Sequence, residues 1–373
     1  MENLELTQYF DKCAEIPVSG VFLPIKDTLS RSLVENGYNV ALIGVQAESD
    51  DHNAGAALAP NAIRKQLYEL TGNFKNIHIT DLGNLKQGKK KADVYYALAD
   101  VVKHLLSENV IPVVLGGTQD LTIAMAEGMD DVCKQQRISI IDSKIDLSNE
   151  EDIPSAHNYL KWILNKKEVR EVNLIGLQNY YCSEWQVKRL EEKECYCKRL
   201  KDVRDKTHYI EPILRDSELL SFDMASIRQT DAPGRVAAIP NGLSNINACE
   251  IAHYAGLSDS ILAYGLFGFN PSFDNSDQTA ALAAQIIWHI LAGIDNRYND
   301  YPKKSIDEYR KFVIYPKVEG DKETIFYYSL TNQRWWIEIP TAEGNKIFAC
   351  TQEDYQRFCN DSIPDIWMRH FMK

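Results

Sequence analysis

Runs of apolar, largely β-branched residues recur over about the first 290 positions of the chain, separated by stretches of mixed polarity. They are NVALIGV (39–45), IHITDLG (77–83), IPVVLGG (111–117), ISIIDS (138–143), VNLIGL (172–177), CYCKRL (195–200), LLSFDM (219–224) and ILAYGLFGF (261–269). Most are continuous rather than alternating, which is the pattern of strands covered on both faces in a parallel sheet. Between them, NAIRKQLYEL (61–70), residues 92–107 and TAALAAQIIWHILAG (279–293) carry helical spacing, and Gly293 is placed to end the last of these. The alternation predicts an α/β fold: three α-β-α layers around a mostly parallel sheet of about eight strands.

The texture changes after Gly293. Residues 294–322 are polar and rich in Asp, Tyr and Lys. ETIFYYSL (323–330), a TNQ turn and RWWIEIP (334–340) then read as a strand pair. TQEDYQRFC (351–359) reads as a short helix with Thr351 and Asp354 in capping-box positions. The expected organisation is a main domain over 1–296 and a small α+β extension over 297–373. Trp335 and Trp336 point to opposite faces of their strand, one for the core and the other to cover the main domain or a partner. The aromatic FYY (326–328) and WW (335–336) groups are candidates for an interface or for the extension's own core.

Composition narrows the function classes. The chain has 373 residues, 45 % hydrophobic and 25 % charged, with a net charge of −12. A surface that neutralises phosphates is not expected on so acidic a chain, so nucleic acid is not an expected partner. No run of about 18 apolar residues marks a membrane span, and MENLELTQYFDKCAEI lacks a signal-like apolar segment. Eight Cys in a long chain without a signal suggest reduced thiols and a cytoplasmic location. Cys195 and Cys197 read as packing residues on a strand rather than ligands.

Candidate chemistry gathers where strands end, as in open α/β sheets generally. The segments are LGGTQD (115–120), ISIIDSKIDLS (138–148), SFDMASIRQTDAPG (221–234) and FGFNPSFDNSDQTA (267–280). In the second, Asp142, Lys144 and Asp146 share a face if the strand continues. Converging carboxylates build a cation site, and a lysine between them removes the need for one. Like charges about 4 Å apart repel by roughly 4 kcal/mol per pair at an effective dielectric of 20, so protons or an internal cation must offset them. Asp274 and Asp277 read as turn and capping residues for the 279–293 helix.

The ordered set of segments resembles the ureohydrolase family of arginases, agmatinases and formimidoylglutamases. That family carries GGDHS, DAHxD, SFDxDxxDP with a Pro-Gly loop, E-x-N-P and a T-A-x-L-A helix, and the frame of each block is present. GAALAPNAIRKQLYEL (55–70) resembles the family's entry segment, and LKWILNKKEVREVNLIGLQNYY (160–181) is most similar to the formimidoylglutamase branch. The resemblance spans about residues 38–293. It implies an arginase-like fold, oligomeric assembly and, in the family, two manganese ions held by six side chains that activate water for attack on an amidine carbon.

At those six positions the chain has Gln119, Asp142, Lys144, Asp146, Asp223 and Ala225, so three carboxylates remain where the family has His and Asp. Thr118 and Arg228 stand where the family has further Asp residues. Gly268 stands where it has the substrate-facing Glu. Ala156-His157-Asn158 stand at the substrate-side Ser-Gly-Thr. Hard divalent cations need several oxygen or imidazole ligands. The expectation is a remnant pocket of Asp142, Lys144, Asp146, Asp223, Gln119, Arg228 and His157, with Lys144 bridging the carboxylates and Arg228 adding charge. No catalytic residue and no cofactor are expected. If a metal binds, Asp142, Asp146 and Asp223 hold it. The function expected is a cytoplasmic binding, scaffold or regulatory protein, with a homo-oligomer and a protein partner at the extension as its associations. The alternative is a manganese-dependent C–N hydrolase of a formimino or guanidino substrate through an altered site, with Lys144 as a base.

Overall fold

A computed structural model describes residues 6–11, 25, 39–47, 53–148, 153–237, 239–315 and 323–371. Parts of the amino-terminal segment and of the polar tract after Gly293 therefore lie outside the described residues. The strands of the main domain are β1 (Phe10–Asp11), β2 (Val40–Val45), β3 (Ile79–Leu85), β4 (Ile111–Leu115), β5 (Gln136–Ile141), β6 (Val169–Leu177), β7 (Tyr196–Arg199), β8 (Leu219–Asp223) and β9 (Ala263–Phe267). They form a nine-stranded sheet in the order β1-β3-β2-β4-β9-β8-β5-β6-β7. Every pairing is parallel except the two-residue β1 against β3. The continuous apolar runs are explained by this topology. Leu42, Val113 and Ile141 pack into one apolar layer, and their neighbours Ile43, Val114 and Ile140 into the opposite one.

Helices cover both faces: α1 (Ala59–Leu67), α2 (Lys91–Ser107), α3 (Thr122–Gly128), α4 (Leu160–Asn165), α5 (Glu184–Glu192), α6 (Leu200–Asp205), α7 (Glu211–Arg215), α8 (Asn245–Gly256) and α9 (Gln278–Asp295). Gly293 does not end α9, which runs on to Asp295. A Cβ on Gly293 would lie 2.6 Å from the Cα of Gly256, so the glycine serves the close crossing of α8 and α9. Asp274 rather than Asp277 caps α9. It accepts from the backbone of Thr279 and Ala280 at 2.9 and 3.0 Å, while Asp277 pairs with Lys65 at 2.8 Å.

The extension is a four-stranded antiparallel sheet, β10 (Arg310–Ile314), β11 (Thr324–Tyr328), β12 (Trp335–Thr341) and β13 (Gly344–Cys350), with α10 (Gln352–Cys359) and α11 (Asp365–His370) against it. The expected pair is β11–β12. The capping box at Thr351 and Asp354 is present. Trp335 enters the extension's core, stacked on Tyr355, while Trp336 packs with Tyr309 and under the Arg215 guanidinium of the main domain. Phe326, Tyr327, Trp335 and Trp336 are all buried inside the protein. Among the described residues no helix is long and apolar enough to cross a membrane.

Candidate functional site

The strand ends β4, β5, β8 and β9 converge on a pocket of about 330 Å³. After β4, Gly116 and Gly117 adopt positive φ of 78° and 75°, and the chain turns at once into the short helix that begins at Gln119. This turn buries Gln119. Its amide donates to the Ser221 hydroxyl at 3.2 Å, and its carbonyl oxygen is buried without a partner. The Thr118 hydroxyl is also buried and unpartnered.

β5 stops at Ile141, so strand alternation does not set the directions of the next residues. The Ser143–Lys144 bend does. It turns the Asp142 carboxyl inward, where one oxygen accepts from the Ser143 amide at 2.5 Å and the other is buried without a partner. Asp146 is also buried, at 4 % exposure. The Lys144 ammonium reaches it at 3.3 Å while its side chain keeps 38 % exposure. The lysine thus points into the site as expected, but its direct contact is Asp146, and Asp142 and Asp223 act on it through space.

Asp223, at the end of β8, accepts from the Ala225 amide at 2.7 Å and caps the short turn that follows. Its carboxylate fills the space beside Gly268, where an added Cβ would lie 2.0 Å from Oδ1. Gly268 has a φ of 77°, so the strand end is built for glycine and for this carboxylate together. His157 and Ala156 line the mouth, with Tyr181, Val236 and Ile239.

Arg228 is not in the pocket. Its side chain is 44 % exposed and pairs with Asp231 at 3.0 Å on the outer side of the loop. Its place is taken by Arg235, which sequence reasoning missed. Arg235 is 5 % exposed, donates to the backbone oxygens of Met224 and Ile227 at 3.1 and 2.6 Å, and lines the pocket with an unpartnered Nε. Tyr159 was missed as well: its hydroxyl is buried without a partner near the three carboxylates. The signal for Arg235 was the position directly after Pro-Gly in the third block. Nothing in the sequence marked Tyr159.

Burial, reinforced by Asp146 and Asp223, raises the Asp142 carboxyl well above the usual carboxylate range. A proton there satisfies its orphaned oxygen. Burial also lifts Asp223, to about 6. Asp146, ahead of Asp142 and Asp223, holds the Lys144 ammonium above its ordinary value, which favours its charged form. Three carboxylates facing Lys144 and Arg235 leave one negative charge, and a proton on Asp142 removes it.

This donor set does not fit two manganese ions. Lys144 puts an ammonium among the carboxylates, Ala225 offers no donor, Gln119 offers one carbonyl oxygen, and Asp223 is engaged as a cap. Among the described residues no group of three or more His, Cys, Asp or Glu is spaced for a metal ion. Cys195 and Cys197 are half-buried thiols, pushed up by burial to about 12 and about 11.

Comparison with known proteins accounts for the frame. Residues 38–293 match the arginase family. A formimidoylglutamase of Lysinibacillus sphaericus is 28 % identical over 254 residues, covering 64 % of this chain and 78 % of the relative. That of Bacillus subtilis is 24 % identical over 285 residues, covering 68 % and 86 %. Its solved structure aligns with a TM-score of 0.67 at 21 % identity, covering 74 % of this chain and 92 % of that one. The Trypanosoma cruzi formiminoglutamase with Mn²⁺ aligns with a TM-score of 0.67 at 18 % identity, covering 73 % and 98 %. The chain therefore belongs to the arginase family, and the relatives it matches here are formimidoylglutamases.

Proposed function

We propose that this protein is a non-hydrolytic member of its family, which uses the carboxyl-end pocket for binding in a scaffold or regulatory role. The observation that carries this reading is the Lys144 ammonium, 3.3 Å from Asp146, among the carboxylates that hold metal in the family pattern. A tethered cation neutralises those carboxylates and repels a free one. The pocket keeps polar atoms that lack partners, the Thr118 hydroxyl, the Gln119 carbonyl oxygen and the Arg235 Nε, beside apolar walls at Val236 and Ile239. That is the make-up of a binding site.

A second reading is a formimidoylglutamase-like hydrolase of a formimino or guanidino substrate. The relatives favour it, since those the chain matches are formimidoylglutamases. It requires Lys144 to leave Asp146 and manganese to enter. One experiment separates the two. The purified protein is loaded with excess manganese and desalted, its metal is counted, and release of formamide from formimidoylglutamate and of urea from arginine is assayed. Less than about a tenth of an equivalent with no release supports the first reading. Near-stoichiometric manganese with turnover replaces it with the second.

A further inference from the structure

The opposite end of the sheet carries a second cleft, of about 520 Å³, between the amino ends of β5–β8 and the extension. Its floor belongs to the main domain and its roof to β13, α10 and α11. The family match ends at residue 293, so the roof lies wholly outside it. The cleft exists only because the extension docks there.

Charges of the floor pair with one another and with the roof. Arg137 gives its guanidinium to Glu218 at 2.7 Å. Arg369 pairs with Glu171 and Asn173 and lies 4.0 Å over the Tyr196 ring. Asp216 is the third carboxylate, and Arg137 and Arg215 act on it through space without a direct bond. One of its oxygens accepts the Ala349 amide at 2.8 Å, and among the described residues no ammonium or guanidinium bonds it. Burial raises its carboxyl, and Arg137 opposes this only through space. A desolvated carboxylate at the bottom of a cleft favours a cation that can bond it directly.

The walls offer the opposite charge loosely. Lys198 and Arg357 share the exposed Asp365 at 3.8 and 3.9 Å, contacts that hold little energy and yield easily to a better anion. Between them the His370 ring stacks on the buried Phe348 with centroids 3.8 Å apart. Asp202, Asp205, Glu353 and Asp354 border the cleft together with Lys201 and Lys206, so its rim carries both signs of charge.

We propose that this cleft binds a free amino acid. Its ammonium bonds Asp216, its carboxylate displaces Asp365 from Lys198 and Arg357, and its side chain lies along Phe348 and His370. Asp216 also leads into β8, which ends at Asp223, so the ligand sits one strand's length from the carboxyl-end pocket. The proposal does not depend on whether that pocket hydrolyses anything.

The test uses the full chain at neutral pH. The twenty amino acids are screened by ligand-observed NMR and titrated calorimetrically, with the matching decarboxylated amines and inorganic phosphate as further probes. At least one amino acid is expected to bind. Its Kd should rise tenfold or more in Asp216→Asn, which keeps an oxygen for the Ala349 amide, and at least fivefold in the Lys198→Met/Arg357→Met double variant. The double variant carries the test if Asp216→Asn does not fold. Absence of binding by every amino acid overturns the proposal. So does binding indifferent to both variants, and so does binding lost in Lys144→Ala but kept in Asp216→Asn, which places the ligand in the other pocket. An amine that binds as tightly as its amino acid removes the carboxylate contact, and phosphate binding strengthened by Asp216→Asn replaces the site with an anion site.

Discussion

Single residues decide what the carboxyl-end pocket can hold. Lys144 offsets three carboxylates that would otherwise repel, so Lys144→Ala should cost about 1–2 kcal/mol at neutral pH, discounted for the partial exposure of the side chain. The pH dependence follows from the carboxylates left behind. The folded pKa values of Asp142 and Asp223 lie above the unfolded ones, so the cost is present above the folded pKa and vanishes as pH falls toward the unfolded value, about 3.9. Urea unfolding at pH 7 and pH 5 should therefore show a smaller deficit at pH 5. The same variant should gain Mn²⁺ binding by calorimetry. An unchanged titration would mean that the missing donors, not the ammonium, keep metal out. Gly268→Glu restores the family residue but should not restore the family site. It forces a side chain onto a backbone with φ of 77° and into the Asp223 carboxylate, and should lower stability by more than about 1 kcal/mol. Arg235 was missed because its recruitment depends on how the 228–237 loop folds back. Arg228 looked nearer in sequence and points outward.

At the scale of elements, the α8–α9 crossing and the docking of β12 and β13 carry the testable consequences. His253 and His289 face one another across α8 and α9, with ring centroids 6.1 Å apart. Burial lowers both, aided by Arg334 at His253 and by His253 at His289. A histidine whose folded pKa lies below its unfolded value resists a proton that the unfolded chain accepts. Stability should therefore fall as pH drops below about 6.5, and a His253→Phe/His289→Phe pair should flatten that fall in thermal unfolding followed between about pH 7 and 5. Arg334, 9 % exposed, bonds Glu211 and Asp300 at 3.2 Å each and thereby fastens β12 to α7. Arg334→Met should cost about 3 kcal/mol by chemical denaturation, because the buried Asp300 loses its guanidinium, while Glu211 keeps Arg215 at 3.2 Å. β10 and β13 escaped sequence reading for a physical reason. They are the edges of the small sheet, and Arg310 and Lys311 on β10 and Asn345 and Lys346 on β13 interrupt the apolar pattern there.

At the scale of the molecule, the extension is not a tether. Arg215 bonds the Cys350 carbonyl and lies under Trp336, Asp216 takes the Ala349 amide, and Arg369 reaches Glu171 on β6. Removing 297–373 exposes these buried groups together with the floor of the 520 Å³ cleft. The truncated chain should be insoluble or unfold well below the full protein, and the full protein should melt in a single transition by calorimetry. Two separable transitions would show instead that the extension folds as an independent unit and that its charged contacts add little.

The chain by itself determined the layered α/β fold, the position of the pocket and which residues stand at the six positions where the family pattern has ligands. Continuous apolar runs require burial on both faces, and a ligand that is Ala or Lys in the sequence stays so in any fold. The capping of α10 and the opposed directions of Trp335 and Trp336 were legible for the same reason, since capping and strand alternation are local. Tertiary structure alone decided the rest. Strand order brings β8 beside β5, which is what sets Asp223 among the same charges as Asp142. A bend rather than a strand aims Lys144 at Asp146. Pairing on the outer loop removes Arg228, and loop return brings in Arg235. The second cleft has no sequence signature, because its floor and roof are more than a hundred residues apart and meet only when the extension docks.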